Sequence, residues 1–179
     1  MHKVYIAAPL FNPAQIEIIE SIEELCYDAS LDFYSPRLHS GSSLLSPEDR
    51  RHFEKWTPVF ESNEQALHQC DCMIAVLEYA QTPGFRLGLE VVTNSGDPMD
   101  FIPLEIPDTG VVWEMGVMNA LNKPVFGYHS TKQPEQMNLM LTHSLAGMLC
   151  GKPALEACID LIYQGDFSLP SMRPTGEIL

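Results

Sequence analysis

The feature that most constrains this chain is a repeated alternation of short apolar runs with longer amphipathic ones. "KVYIAAPLF" opens it, a β-branched and aromatic run ended by Pro9, and reads as a buried first strand. "NPAQIEIIESIEELCYDAS" follows, with Ile16, Ile19, Ile22 and Leu25 or Cys26 at helical spacing. Asn12 before Pro13 predicts the start of that helix, because an Asn cap and a first-turn proline leave no backbone donor wasted. "LDFYSP" reads as a second strand. "SPEDRRHFEKW" predicts a helix capped by Ser46, with Pro47 in the first position and a break or kink at Pro58; a further helical piece reaches His68. "CDCMIAVLE" is continuously apolar from Met73 to Leu77 and reads as a central strand. "TGVVWEMGVMNALN" reads as a helix, "VFGY" as a strand, "PEQMNLML" as a short helix and "PALEACIDLIYQ" as a last helix. "SLAGMLC" is open between helix and strand.

Strands that alternate with helices imply a parallel sheet covered on both faces, so the expected fold is a doubly wound, flavodoxin-like α/β domain of about five strands. The expected domain is residues 1–166, with 79–107 as a long loop or lid punctuated by Pro and Gly and 167–179 as an extended tail. Ligands in such sheets sit beyond the carboxyl ends of the strands, where the strand order switches.

Charge narrows the function. With 24 acidic against 10 basic side chains the formal net charge is −14, a field that repels nucleic-acid backbones and anionic membrane surfaces. Neither partner is expected, and neutral or weakly charged ligands fit better. Five cysteines without a disulfide-like framework favour a reducing, cytoplasmic setting; no signal peptide or membrane span is read. No cofactor is expected. The turn after the first strand, "AAPLFNP", has no glycine with which to approach a pyrophosphate, and neither G-x-G-x-x-G nor a P-loop occurs. His68, Cys70 and Cys72 in "HQCDC" superficially resemble metal ligands, but they read better as a helix end running into a strand with small buried thiols. No metal is expected.

Two carboxylates stand out. Asp71 sits at the entrance to the apolar strand, open between a loop cap and a functional group. In "PDTGVVWEMG", Glu114 is the only charged residue from Thr109 to Asn122. If Asp108 or Thr109 caps that helix, Glu114 shares its face with Gly110, Val111, Val117 and Met118. A carboxylate there needs a partner or a raised pKa. Local physics leaves it open between a satisfied internal acid and one aimed into the ligand crevice.

Asp-Thr-Gly followed by Glu-Met-Gly, after a strand headed by Cys-Asp and before a Lys-Pro-strand, together with "VYIAAPLFNP", resembles the nucleoside 2-deoxyribosyltransferase family. The matching segments are Lys3 to Pro13, Cys70 to Leu77, Asp108 to Tyr128 and Asn138 to Leu141. The resemblance implies double displacement at the anomeric carbon, with 2′-deoxynucleosides and free nucleobases as partners. Glu114 would be the nucleophile, expected to be ionised at neutral pH with a pKa near ~4.3. Asp108 and Asp71 match two supporting aspartates, and Tyr5 a tyrosine that orients the nucleophile. Asn138 matches an asparagine that reaches the sugar's 5′-hydroxyl in a neighbouring subunit's site, which implies a homo-oligomer. Phe11 would pack on the base, and Gly110 and Met140 would also contact substrate. The stretch 79–107 is longer than the family's usual loop, and the tail "TGEIL" supplies no obvious closing element.

The resemblance leaves two alternatives. One is hydrolysis of 2′-deoxynucleosides or their 5′-monophosphates; the monophosphate glycosidases use a glycine- and serine-rich phosphate pocket after the first strand, which "APLFNP" lacks. The other is a non-catalytic nucleoside-binding module in which Glu114 is structural.

Overall fold

The computed structural model describes residues 2–42, 45–46, 48–78, 107–131 and 139–168. Five parallel strands form one sheet in the order β2-β1-β3-β4-β5. They are β1 (Lys3–Ala7), β2 (Asp32–Tyr34), β3 (Cys72–Val76), β4 (Val125–His129) and β5 (Gly147–Cys150). The helices are α1 (Pro13–Asp28), α2 (Pro36–His39), α3 (Phe53–Gln69), α4 (Thr109–Ala120), α5 (Leu139–Ser144) and α6 (Gly151–Gln164). This is the doubly wound, flavodoxin-like arrangement. The chain turns outward from β1 to β2 and then crosses back to β3, so the order switches between β1 and β3.

Period-two alternation divides the core. Val4 and Ile6 of β1, Ile74 and Val76 of β3 and Phe126 and Tyr128 of β4 pack with Ile19 and Ile22 of α1 and Ile159 and Ile162 of α6. The intervening residues, Tyr5, Ala7, Met73, Ala75 and Leu77, face the other way, onto Leu67 of α3 and Val111, Met115 and Met118 of α4. The α3/α4 face therefore receives Tyr5.

The α1 start is as expected: Asn12 Oδ1 accepts from the Gln15 N–H at 3.0 Å, and Pro13 occupies the first turn. "SLAGMLC" resolves to strand β5, whose Met148 and Leu149 are buried. The helix expected from Ser46 is corrected. Ser46 closes on Asp49, Oγ to Oδ2 at 2.7 Å, around a 3₁₀ turn at Asp49–Arg51, and α3 begins only at Phe53. Pro58 lies inside α3 without breaking it. It forfeits one bond, to the Glu54 carbonyl, near the helix start where that group is exposed and water can take the donor's place. α2 is an addition to the expected elements.

Gly165 ends α6 in the left-handed region, φ 77°, where a Cβ would come within 2.9 Å of His2 Nε2. Phe167, the first residue of the expected extended tail, packs edge-on to His2 and against the core. The expected loop from 79 to 106 and the tail from 169 onward lie outside the described residues. Among the described residues no helix is long and apolar enough to cross a membrane.

Candidate active site

α4 connects β3 to β4 and runs antiparallel to them, which puts its first turn over the carboxyl ends of the strands. Asp108 caps it: Oδ1 accepts from the Val111 N–H at 3.0 Å, and the Asp108 carbonyl accepts from Val112 at 3.0 Å. Gly110 makes this cap possible, since a Cβ there would lie 2.9 Å from Asp108 Oδ1. Val111, Met115 and Met118 drive the helix against the sheet, and their stripe carries Glu114 with it.

Glu114 meets a partner from the first strand. The Tyr5 hydroxyl donates to Glu114 Oε1 at 2.6 Å, across 109 residues of sequence. Burial is the main influence on this carboxyl; the Tyr5 bond opposes it and Asp108 adds to it, and the result is a pKa pushed up to about 7. The expected value near 4.3 is thus corrected. The carboxyl therefore gains and loses its proton near neutrality, because apolar surroundings solvate the charge poorly. The Tyr5 phenol is itself shifted far upward, by burial and then by Glu114, so it is a permanent donor.

Tyr34, the last residue of β2, lies opposite Tyr5 in the register. The two rings stack at 5.5 Å and 20°. The Tyr34 hydroxyl sits 2.8 Å from Ser62 Oγ and donates to Asn63 Oδ1 at 3.0 Å, both on α3. Burial raises its pKa, and Glu114 adds to the shift, so this hydroxyl also lies within the electrostatic reach of the carboxylate. Asn63 Nδ2 has no partner among the described residues.

The structure thus brings Tyr5, Asp108, Gly110 and Glu114 together. Asp71 is not brought to them. It precedes β3, at the amino edge of the sheet, where its Oδ2 accepts from the Lys3 N–H at 2.8 Å and lies 3.6 Å from His2 Nδ1. Its own N–H donates to the Lys3 carbonyl at 2.8 Å. That exposed position is a strand-start cap at the edge of the sheet opposite the first turn of α4, so the structure does not bring Asp71 to Glu114. Phe11 stands in the turn after β1, at 75% exposure, with its N–H donating to Gln15 Oε1 at 3.0 Å. Met140, on α5, is 76% exposed. Asn138 lies outside the described residues.

Tyr34, Ser62 and Asn63 had no sequence signal. A tyrosine closing an apolar strand reads as core, and a Ser-Asn pair on a helix reads as a solvated face. Only the adjacency of β1 and β2 and the packing of α3 join them to Glu114. The assembled group offers a poorly solvated carboxylate, a fixed hydroxyl donor and a second carboxylate six residues away at the helix head. Such a set can attack an electron-poor carbon and handle a proton beside it.

Residues 4–148 match the family model for nucleoside 2-deoxyribosyltransferases. Among solved structures, the chain is similar to the 2-deoxyribosyltransferase of Bacillus psychrosaccharolyticus, at 26% identity over 82% of this chain and 85% of that one, with a TM-score of 0.56. It also matches a conserved protein of Enterococcus faecalis V583, at 17% identity over 90% and 87% of the two chains and a TM-score of 0.48. The CMP N-glycosidase of Clostridium botulinum matches at 13% identity over 89% and 98%, with a TM-score of 0.47. No curated protein matches the chain.

Proposed function

The chain belongs to the nucleoside 2-deoxyribosyltransferase family, and from that premise we propose that it moves a 2-deoxyribosyl group between nucleobases through a covalent ester on Glu114. The observation that carries this reading is the 2.6 Å bond from Tyr5 to Glu114, in surroundings that leave the carboxylate poorly solvated. In the first half-reaction a Glu114 oxygen bonds to C1′ while the bond from C1′ to the base nitrogen breaks. The electron pair leaves with the base, which takes up a proton; in this reading Asp108, at the head of the same helix, supplies it from its protonated form. In the second, a nitrogen of the incoming base attacks C1′, the ester C–O bond breaks to restore the Glu114 carboxylate, and the proton on that nitrogen passes to Asp108, replacing the one given up in the first half. Two inversions give net retention.

Tyr5 has one task at each stage. Its hydrogen bond holds one carboxylate oxygen so that the other faces C1′, and it keeps a fraction of Glu114 ionised against burial. Asn63 Nδ2, without a partner among the described residues, is a donor that this reading offers to an acceptor atom of the base or sugar. A neighbouring subunit completing the site through Asn138 belongs to the same reading.

The test incubates the protein with a 2′-deoxynucleoside, with and without a second free base. A new deoxynucleoside formed only with the acceptor supports transfer. Free base and deoxyribose alone would make the protein a glycosidase, with water intercepting the ester. Absence of turnover across purines and pyrimidines would rule out the reaction and leave a nucleoside-binding module.

A further inference from the structure

We propose that Tyr34 is a positioning residue, acting on Glu114 through Tyr5, and that α3 sets its position. The inference rests on Glu114 being the reacting carboxylate, but its readout does not. A tyrosine ring turns about two torsions, and its hydroxyl meets a fixed oxygen only if both are held. Here the Tyr5 ring lies against Tyr34 at 5.5 Å and 20°. The Tyr34 ring is in turn covered by His39 at 5.3 Å and 29°, so three rings form one column from β1 through β2 to α2. His39 is itself tied down, its Nδ1 accepting from the Ser35 N–H at 3.0 Å. At its far edge the Tyr34 hydroxyl is held by Ser62 at 2.8 Å and Asn63 at 3.0 Å.

A hydroxyl engaged with two groups on a helix is more than a core aromatic needs, since one partner satisfies a buried phenol. The second bond removes the ring's remaining freedom to slide. Any slide or tilt of Tyr34 is transmitted to Tyr5 by contact, and a tilt that bends the O–H···O angle away from linear weakens the bond to Glu114. That bond is the influence opposing burial at Glu114. Among the described residues, the titratable groups that act on this carboxyl are Tyr5 from β1, Tyr34 from β2 and Asp108 at the head of α4. Cys70, beyond the end of α3, acts on both tyrosines, with a thiol that burial pushes up to about 12. α3 itself faces Tyr34 through two neutral side chains, so it acts by geometry and not by charge.

The test follows the Glu114 carboxyl titration by ¹³C NMR in glutamate-labelled protein, assigned by its disappearance in Glu114→Gln. Tyr34→Phe keeps the stacked ring and removes the anchor; Ser62→Ala removes half the anchor and leaves the column untouched. Both should raise the titration midpoint, Tyr34→Phe by roughly half a pH unit or more. Tyr5→Phe should raise it further, and Tyr34→Phe added to Tyr5→Phe should add nothing. A midpoint unchanged in both single variants, or a Tyr34→Phe shift undiminished without Tyr5, would overturn the proposal. If these shifts appear while the wild-type protein transfers no deoxyribose, the positioning stands and the proposed reaction falls.

Discussion

Replacing Glu114 by Gln should make the protein more stable and inactive at once. Glutamine keeps the shape, an oxygen to accept from Tyr5, and an amide that can donate toward Asp108, but it carries no charge to bury. In the folded chain the Glu114 pKa is about 7, against 4.5 for an ordinary glutamate. Below 4.5 the group is protonated in both folded and unfolded states and contributes no pH dependence. Between 4.5 and about 7 the unfolded chain releases its proton and the folded chain keeps it, so wild-type stability falls as pH rises. Above 7 both forms are ionised and the loss is complete. At 1.36 kcal/mol per pH unit, the interval corresponds to roughly 3 kcal/mol. Urea unfolding at pH 4.5, 6 and 8, at fixed protein concentration, measures this directly. The stability of Glu114→Gln relative to wild type should grow from pH 4.5 to 7 by about 2–3 kcal/mol and then level off. A difference that stays flat across that window would refute a desolvated Glu114. Transfer should be lost in the variant at every pH, and in the wild type it should decline as pH drops below about 7, where the nucleophile is protonated.

Gly110→Ala should displace the Asp108 carboxylate, because the new Cβ would lie 2.9 Å from Oδ1. The expected outcome is a fall in kcat with a stability change within about 1 kcal/mol, read by steady-state kinetics beside thermal unfolding. Asp71→Asn should leave transfer within about twofold of wild type, since Asp71 caps the amino edge of β3, far from the head of α4. A large loss of activity in that variant would restore Asp71 to the reaction. Glu23→Ala should act on stability alone. The buried Glu23 accepts from Ser35 Oγ at 2.5 Å and pairs with Arg37, tying α1 to α2, so its loss should cost roughly 2–3 kcal/mol in urea unfolding with kcat retained.

Much of the fold was legible because it follows from local pattern. Ile16, Ile19 and Ile22 specify one face of α1, Asn12 and Pro13 its start, and the unbroken apolar run of β3 the centre of a parallel sheet. Pro58 does not break α3, although a proline there removes a helical N–H; whether a helix survives that loss depends on where the proline falls and on what else can meet the orphaned carbonyl. "SLAGMLC" could not be divided into helix or strand by periodicity, because a short apolar run satisfies both; the free edge of β4 decided it.

The candidate site divides along the same line. The sequence by itself determined that Glu114 would lie on an apolar helix face six residues after an aspartate able to cap, because both facts are set by helical spacing. It could not determine which end of the sheet each carboxylate would occupy. Asp71 and Asp108 each stand next to a regular element, yet the strand beginning at Cys72 and the helix beginning at Thr109 run in opposite directions. One acid therefore lies at the amino edge and the other at the carboxyl edge. Tertiary structure alone also brought Tyr5 to Glu114, stacked Tyr34 beside it and held Tyr34 from α3. Those contacts depend on strand order and register, which couple residues far apart in the chain. The same packing sets how little water reaches Glu114, and that desolvation is what moves an ordinary carboxyl to a pKa near neutrality.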